Sequence, residues 1–238
     1  MDDRDPFSTL RFPSAARPLL GLTVLLVEDS RYASDAVRLM CMRSGARIRR
    51  ADCLRSARRH LQVYRPSVLL VDLGLPDGSG LELIAEAQAA QPRIELILGI
   101  SADDSAQDAC LAAGANGFIG KPMRSIALFQ AAILRHLPPD RQPGGPRPAV
   151  DEVIYPDKVA YRDDIAHVAD LLSDHSDAAL LDYATRFLEG LAALAGDDGL
   201  LAANRALRQA CHAGQDPQAD LGKLRLLLQD RMMDRVAI

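Results

Sequence analysis

From Leu22 to about Leu137 short apolar runs alternate with amphipathic stretches of helical length. The runs predict strands near 22–27, 47–51, 67–72, 94–100 and 117–120; the stretches between and after them predict helices near 31–44, 54–64, 80–90, 104–113 and 124–136. Regular alternation of strand and helix predicts a parallel sheet with helices on both faces. Local signals agree. Ser79 with Glu82 three residues later reads as a capping box, and Gly45 and Gly114 stand where helix ends need a left-handed residue. The second helix turns Leu54, Ala57, Leu61 and Tyr64 inward and Arg55, Arg58, Arg59 and Gln62 outward.

The pattern changes after Leu137. Residues 138–148 carry five prolines and two glycines, which cannot continue a helix and read as a semi-rigid tether. Beyond about 151 there is no strand pattern. Instead, four apolar faces recur at helical spacing. They are Ile165, Val168 and Leu172; Leu180, Ala184, Phe187, Leu191 and Leu194; Leu200, Ala203, Leu207 and Ala210; and Leu221, Leu224 and Leu228. Four such helices make a small bundle. Four regions follow: a flexible arm over 1–20 with Pro6, Pro13 and Pro18, an α/β domain over 21–137, a linker over 138–150, and a helical module over 151–238.

Composition, with 48% hydrophobic and 25% charged residues in 238, fits a soluble globular protein. The charge is divided unevenly. Residues 151–238 hold nine Lys or Arg against sixteen Asp or Glu, a net of −7, which argues against binding a polyanion such as DNA. Eight arginines between Arg43 and Arg65 could dock an acidic partner, but read first as a solvated helix face. Cys41, Cys53, Cys110 and Cys211 form no CxxC pair and read as reduced core thiols of a cytoplasmic protein. The apolar stretch Leu19 to Val27 is too short to span a bilayer, and the acidic start Asp2-Asp3-Arg4-Asp5 is wrong for a signal peptide.

The strand ends carry the chemistry. In a doubly wound sheet they all face one way, so Glu28, Asp29, Asp72, Ser101 and Lys121 should converge. Converging carboxylates resist ionisation unless a cation neutralises them. An all-oxygen set suits Mg²⁺, with Glu28, Asp29 and Asp72 as ligands and Gly74 turning its backbone carbonyl toward the ion. The Asp72 carboxylate can then attack a phosphoryl group to form an aspartyl phosphate, while Lys121 and the Ser101 hydroxyl hold its oxygens.

Residues 22–137 resemble the receiver domain of bacterial two-component response regulators. The resemblance is carried by Val24-Leu25-Leu26-Val27-Glu28-Asp29-Ser30, Val71-Asp72-Leu73-Gly74-Leu75-Pro76-Asp77-Gly78, Ile100-Ser101-Ala102 and Ala113 through Pro122. It implies a flavodoxin-like five-stranded sheet of order 2-1-3-4-5. It also implies phosphorylation of Asp72 by a sensor histidine kinase or histidine phosphotransferase, and a switch in which Ser101 moves toward the phosphoryl group while Phe118 turns inward. Glu28 stands where the family more often has Asp, and Phe118 where it more often has Tyr. No enzymatic activity is implied beyond self-phosphorylation and autodephosphorylation.

The resemblance stops at the module. We expect it to serve an unknown downstream protein, or a homodimer, and to read the state of Asp72 on the face formed by the fourth helix, fifth strand and fifth helix. Two alternatives stay open. One is a DNA-binding regulator with an atypical helical output; the other is a phosphorelay protein with a phosphohistidine at His212. Histidine phosphotransfer bundles, which this region faintly resembles, have Lys and Gly three and four residues after the histidine, where this chain has Gln215 and Asp216.

Overall fold

A computed structural model describes residues 13–144, 152–173 and 178–233. Five parallel strands form one sheet: β1 (Thr23–Val27), β2 (Arg47–Ala51), β3 (Val68–Asp72), β4 (Leu96–Ser101) and β5 (Gly117–Gly120), in the order β2-β1-β3-β4-β5. The register aligns their C-terminal ends, with Val27 beside Val71, Asp72 beside Ile100 and Ser101 beside Gly120. All five residues of β3 are buried, as expected for a strand covered on both faces. Edge strand β2 is Arg-rich and largely exposed, which discourages pairing with another chain.

Alternate side chains enter two cores. Val24, Leu26, Val68, Leu70, Leu96 and Leu98 meet α1 (Arg31–Ser44) and α5 (Ile126–Leu134) on one face. Leu25, Val27, Leu69, Val71 and Ile97 enter the second core, with α2 (Leu54–Val63), α3 (Gly80–Ala89) and α4 (Gln107–Ala112). The fourth helix is shorter than the pattern over 104–113 suggested, because Asp103 caps a 3₁₀ turn, Asp104–Ala106, ahead of it. Gly45, at φ +86°, ends α1 in the left-handed conformation a glycine tolerates. Ser79 caps α3 through the N–H of Leu81.

The module is a ring of α6 (Lys158–Ser173), α7 (Ala178–Ala195), α8 (Asp198–His212) and α9 (Gln218–Met233). Ile165, Val168, Leu172, Leu191, Leu207, Leu224 and Leu228 fill its centre, on the faces the periodicity predicted. Asp197 ties three of its helices together. It caps α8 through Leu200 N at 3.0 Å, accepts from Tyr161 Oη of α6 at 3.0 Å, and pairs with Arg231 Nε of α9 at 2.7 Å.

Three expectations are corrected. First, the module does not dock on the face of α4, β5 and α5, where Leu111 and Leu128 are exposed. It packs on α1, and its core is continuous with the first core of the sheet domain through Tyr32, Ala36, Val37 and Met40. The physical reason is that α1 offers apolar side chains toward α6 and first-turn N–H groups that its own cap, Ser30, leaves over: Asp164 accepts from Ser30 Oγ at 2.7 Å, Arg31 N at 3.0 Å and Tyr32 N at 2.9 Å, while Ser30 Oγ accepts from Ala33 N. Second, the described part of the 1–20 arm is seated: Leu19 is fully buried and its N–H bonds to Ser44 O. Third, the thiols are free but not all in the core, since Cys211 is exposed and the half-buried Cys53 caps α2. Residues 1–12 of the arm, 145–150 of the linker, and Asp151 and His175 of the module lie outside the described residues. Just past the linker, Val153 bridges to Ser125 and Ile154 is buried.

Candidate functional site

Glu28 and Asp29 follow β1, Asp72 ends β3, Ser101 ends β4 and Lys121 follows β5, so the sheet brings all five to one edge. They line a cleft of about 570 Å³. Lys121 Nζ bridges two carboxylates, at 2.8 Å from Asp72 Oδ2 and 2.8 Å from Glu28 Oε2. The other oxygens face backbone donors. Ser30 N–H reaches Glu28 Oε1 at 3.2 Å and Asp29 Oδ1 at 3.0 Å, and Gly74 N–H reaches Asp72 Oδ1 at 3.2 Å. One oxygen from each of Glu28, Asp29 and Asp72 lies within 4.8 Å of the others, an acidic cluster able to hold a cation.

Burial sets the electrostatics. It pushes the Asp72 carboxyl up to about 6, with Lys121 pulling down and Glu28 adding to the rise. Burial likewise raises Asp29 to about 6, reinforced by the charge of Asp72. Glu28 is raised by burial against the pull of Lys121. For Lys121 burial works against the charge, but Asp72 and Glu28 outweigh it and hold the amine above its usual range. One lysine among three carboxylates leaves negative charge uncompensated, which is the condition a divalent ion would relieve.

Residues 24–133 match the family model described as the response regulator receiver domain. This stretch is a receiver domain. It is 29% identical over 116 residues to the KDP operon transcriptional regulatory protein KdpE of Escherichia coli K12, covering 48% of this chain and 52% of that protein. It is 30% identical over 120 residues to the virulence transcriptional regulatory protein PhoP of Salmonella typhimurium 14028s, covering 48% and 53%. The chain therefore spans about half the length of the curated relatives it matches. Among solved structures, the receiver domain of sensor histidine kinase PA1611 from Pseudomonas aeruginosa PAO1, with magnesium coordinated in its active-site cleft, is similar at 27% identity and TM-score 0.44, covering 48% of this chain and 96% of that one. The chemotaxis response regulator CheY4 of Vibrio cholerae is similar at 23% identity and TM-score 0.45, covering 49% and 98%. The match to the family ends before the helical module.

In the receiver, Ser101 lines the cleft, and its hydroxyl accepts from Asp103 N at 3.0 Å. Phe118 lies half-buried on β5 against the second core and is not among the cleft's lining residues. Gly74 lines the cleft in a short hairpin, paired with Ser79, that carries the chain from Asp72 to α3. Gly80 makes that return possible: a Cβ there would stand 2.1 Å from Asp72 O. His212 is exposed at the last position of α8 and is not among the cleft's lining residues.

Sequence reasoning missed several participants. Arg50 on β2 donates to Glu28 O at 3.0 Å and Asp29 O at 2.5 Å, fixing the backbone of the acidic pair. Asp77 caps α2 through Leu54 N and Arg55 N. The module contributes Arg186, Phe187, Glu189 and Arg208 to the cleft lining, and Tyr183 Oη donates to Asp29 Oδ2 at 2.5 Å. Phe187 lies on the apolar face that the periodicity marks, whereas Tyr183, four residues before it, has no pattern in the sequence that singles it out. No helix among the described residues is long and apolar enough to cross a membrane.

Proposed function

We propose that the chain is a phosphorylation-controlled response regulator that accepts a phosphoryl group on Asp72 and signals through its helical module. The observation that carries this reading is the bridge of Lys121 between Asp72 and Glu28 inside a cluster of three carboxylates at one sheet edge. An all-oxygen donor set of this kind fits Mg²⁺, which Glu28, Asp29 and Asp72 would hold with the Gly74 carbonyl, and which would supply charge neutralisation for phosphoryl oxygens.

The chain's own groups do the rest. An Asp72 carboxylate oxygen forms a bond to phosphorus as the bond from phosphorus to the donor's nitrogen or acyl oxygen breaks, its electron pair leaving with the donor. Lys121 already sits 2.8 Å from an Asp72 oxygen, so its charge is in place to bind a phosphoryl oxygen. The Ser101 hydroxyl is free to rotate from Asp103 and donate to another. Positioning and electrostatics are nearly all that phosphoryl transfer asks of a protein.

In this reading a sensor histidine kinase or histidine phosphotransferase is the donor, the setting is cytoplasmic, and the only turnover is gain and loss of the protein's own phosphoryl group. The partner of the module is a further protein or a second copy of the chain. DNA is disfavoured by the module's net charge of −7. Incubation with acetyl phosphate followed by intact mass tests the reading. One phosphoryl group should appear with Mg²⁺ present and be absent in Asp72→Ala and with EDTA. Label that survives either control refutes it.

A further inference from the structure

Phosphoryl acceptance needs nothing from the helical module, yet α7 crosses directly over the cleft. Near its start, Tyr183 Oη donates to Asp29 Oδ2 at 2.5 Å. At its middle, Gly190 lets the helix backbone approach Lys121, whose Cδ would lie 3.6 Å from a Cβ at that position. At its end, Arg124 in the segment between β5 and α5 donates to Ala193 O at 2.8 Å and to Leu194 O at 2.9 Å. One helix is thus tied to the loop bearing Asp29 and to the loop bearing Lys121.

Two obstructions follow. Phosphorus must come to bonding distance of an Asp72 oxygen, and Asp72, 7% exposed, lines the same cleft as Arg186, Phe187 and Gly190 of α7. A donor protein would have to set its own surface where α7 now lies. The Tyr183 hydroxyl also engages an oxygen of Asp29, a carboxylate of the acidic cluster, and so competes with a cation for it.

We propose that α7 is an intramolecular gate over the phosphoacceptor and that Tyr183 is its latch, so that metal entry and phosphoryl transfer both draw on a population in which α7 has lifted from the cleft. The gate rests on the reading of Asp72 as phosphoacceptor. A ligand that needs the open form binds with an affinity reduced by the open fraction, and by reciprocity it must loosen the gate when it binds.

The test uses the full chain and two variants that spare every carboxylate. Tyr183→Phe removes only the hydroxyl and keeps the ring against Phe187, 6.2 Å away. Arg124→Ala releases the other end. Free Mn²⁺ is followed by electron paramagnetic resonance, deuterium uptake of residues 183–194 with and without Mg²⁺, and labelling by acetyl phosphate. Each variant should bind Mn²⁺ at least about tenfold more tightly, as expected for losing charge-assisted hydrogen bonds from the closed form, one at Tyr183 and two at Arg124. Each should also label faster, and saturating Mg²⁺ should raise exchange along α7 in the wild type. Unchanged Mn²⁺ affinity in both variants, greater α7 protection with Mg²⁺, or no metal binding by any of the three overturns the gate. If affinities and exchange shift as expected but no protein gains a phosphoryl group, α7 gates the acidic cluster alone and the phosphoacceptor reading falls. Equal labelling of all three at unchanged metal affinity has the opposite meaning.

Discussion

Asp164→Ala should undo the joint between module and receiver. The carboxylate is 3% exposed and accepts three hydrogen bonds across the joint, from the Ser30 hydroxyl and from the N–H groups of Arg31 and Tyr32 in the first turn of α1. The α1 cap, Ser30, remains in the variant, so the loss is that of hydrogen bonds to a charged acceptor, each contributing roughly 1.5–3 kcal/mol. Against that, burial raises the Asp164 carboxyl above its usual range, so its removal recovers a desolvation cost. The balance is a loss of about 2–3 kcal/mol, a large part of an ordinary domain's stability. The chain has no tryptophan, so far-UV circular dichroism in urea is the suitable assay. At a slope of about 2 kcal/mol per molar urea, the midpoint should fall by about 1–1.5 M. Asp164→Asn, which keeps an acceptor oxygen but no charge, should fall by roughly half as much. A midpoint for Asp164→Ala within about 0.2 M of wild type would refute the assignment of this carboxylate as the joint.

Other outcomes follow from the same geometry. Arg231 holds the Asp197 carboxyl below its usual range, with burial opposing and Leu200 N–H and Tyr161 Oη assisting. Its stabilisation is therefore full above the unfolded value near pH 4 and is lost as pH falls through the lower folded value, so the gap between wild type and Asp197→Asn in acid titration should be constant above pH ~4 and close below it. Gly80→Ala would set a methyl carbon 2.1 Å from Asp72 O, and should cost about 3 kcal/mol or more in denaturation while slowing acetyl phosphate labelling. Duplex DNA at physiological salt should show no sub-micromolar anisotropy change with the full chain, whose net charge is −4.

The receiver was legible because its strands are short apolar runs closed by turn residues, and doubly wound topology then fixes which ends meet. Lys121 and Asp72 lie 49 positions apart yet bond at 2.8 Å, which strand order alone anticipates. Boundaries slipped where local caps decide: β4 begins at Leu96 rather than 94, and α5 begins after Ser125, whose hydroxyl accepts from Leu128 N. The docking of the module was not legible. An amphipathic face states that a helix is buried, not against what, and α6 spends Asp164 on a helix end 134 positions away in sequence from its own. Tyr183 acts through one polar contact made possible by that docking, and Arg50 through two made possible by the sheet register. A lone tyrosine in a helix, or one arginine among eight, carries no periodicity that singles it out. Leu19 falls within the proline-rich arm although it opens the apolar stretch that runs to Val27, and its burial anchors the entry to β1.

The apolar interior runs unbroken from Val24 and Leu70 of the sheet through Val37 and Met40 of α1 to Leu188 and Leu228 of the bundle. The covalent seam between the two halves is therefore not an energetic one. Cleaving the chain between residues 144 and 152 should yield two fragments that stay together on a sizing column, melt in one transition, and re-form the intact particle when mixed after separation in denaturant.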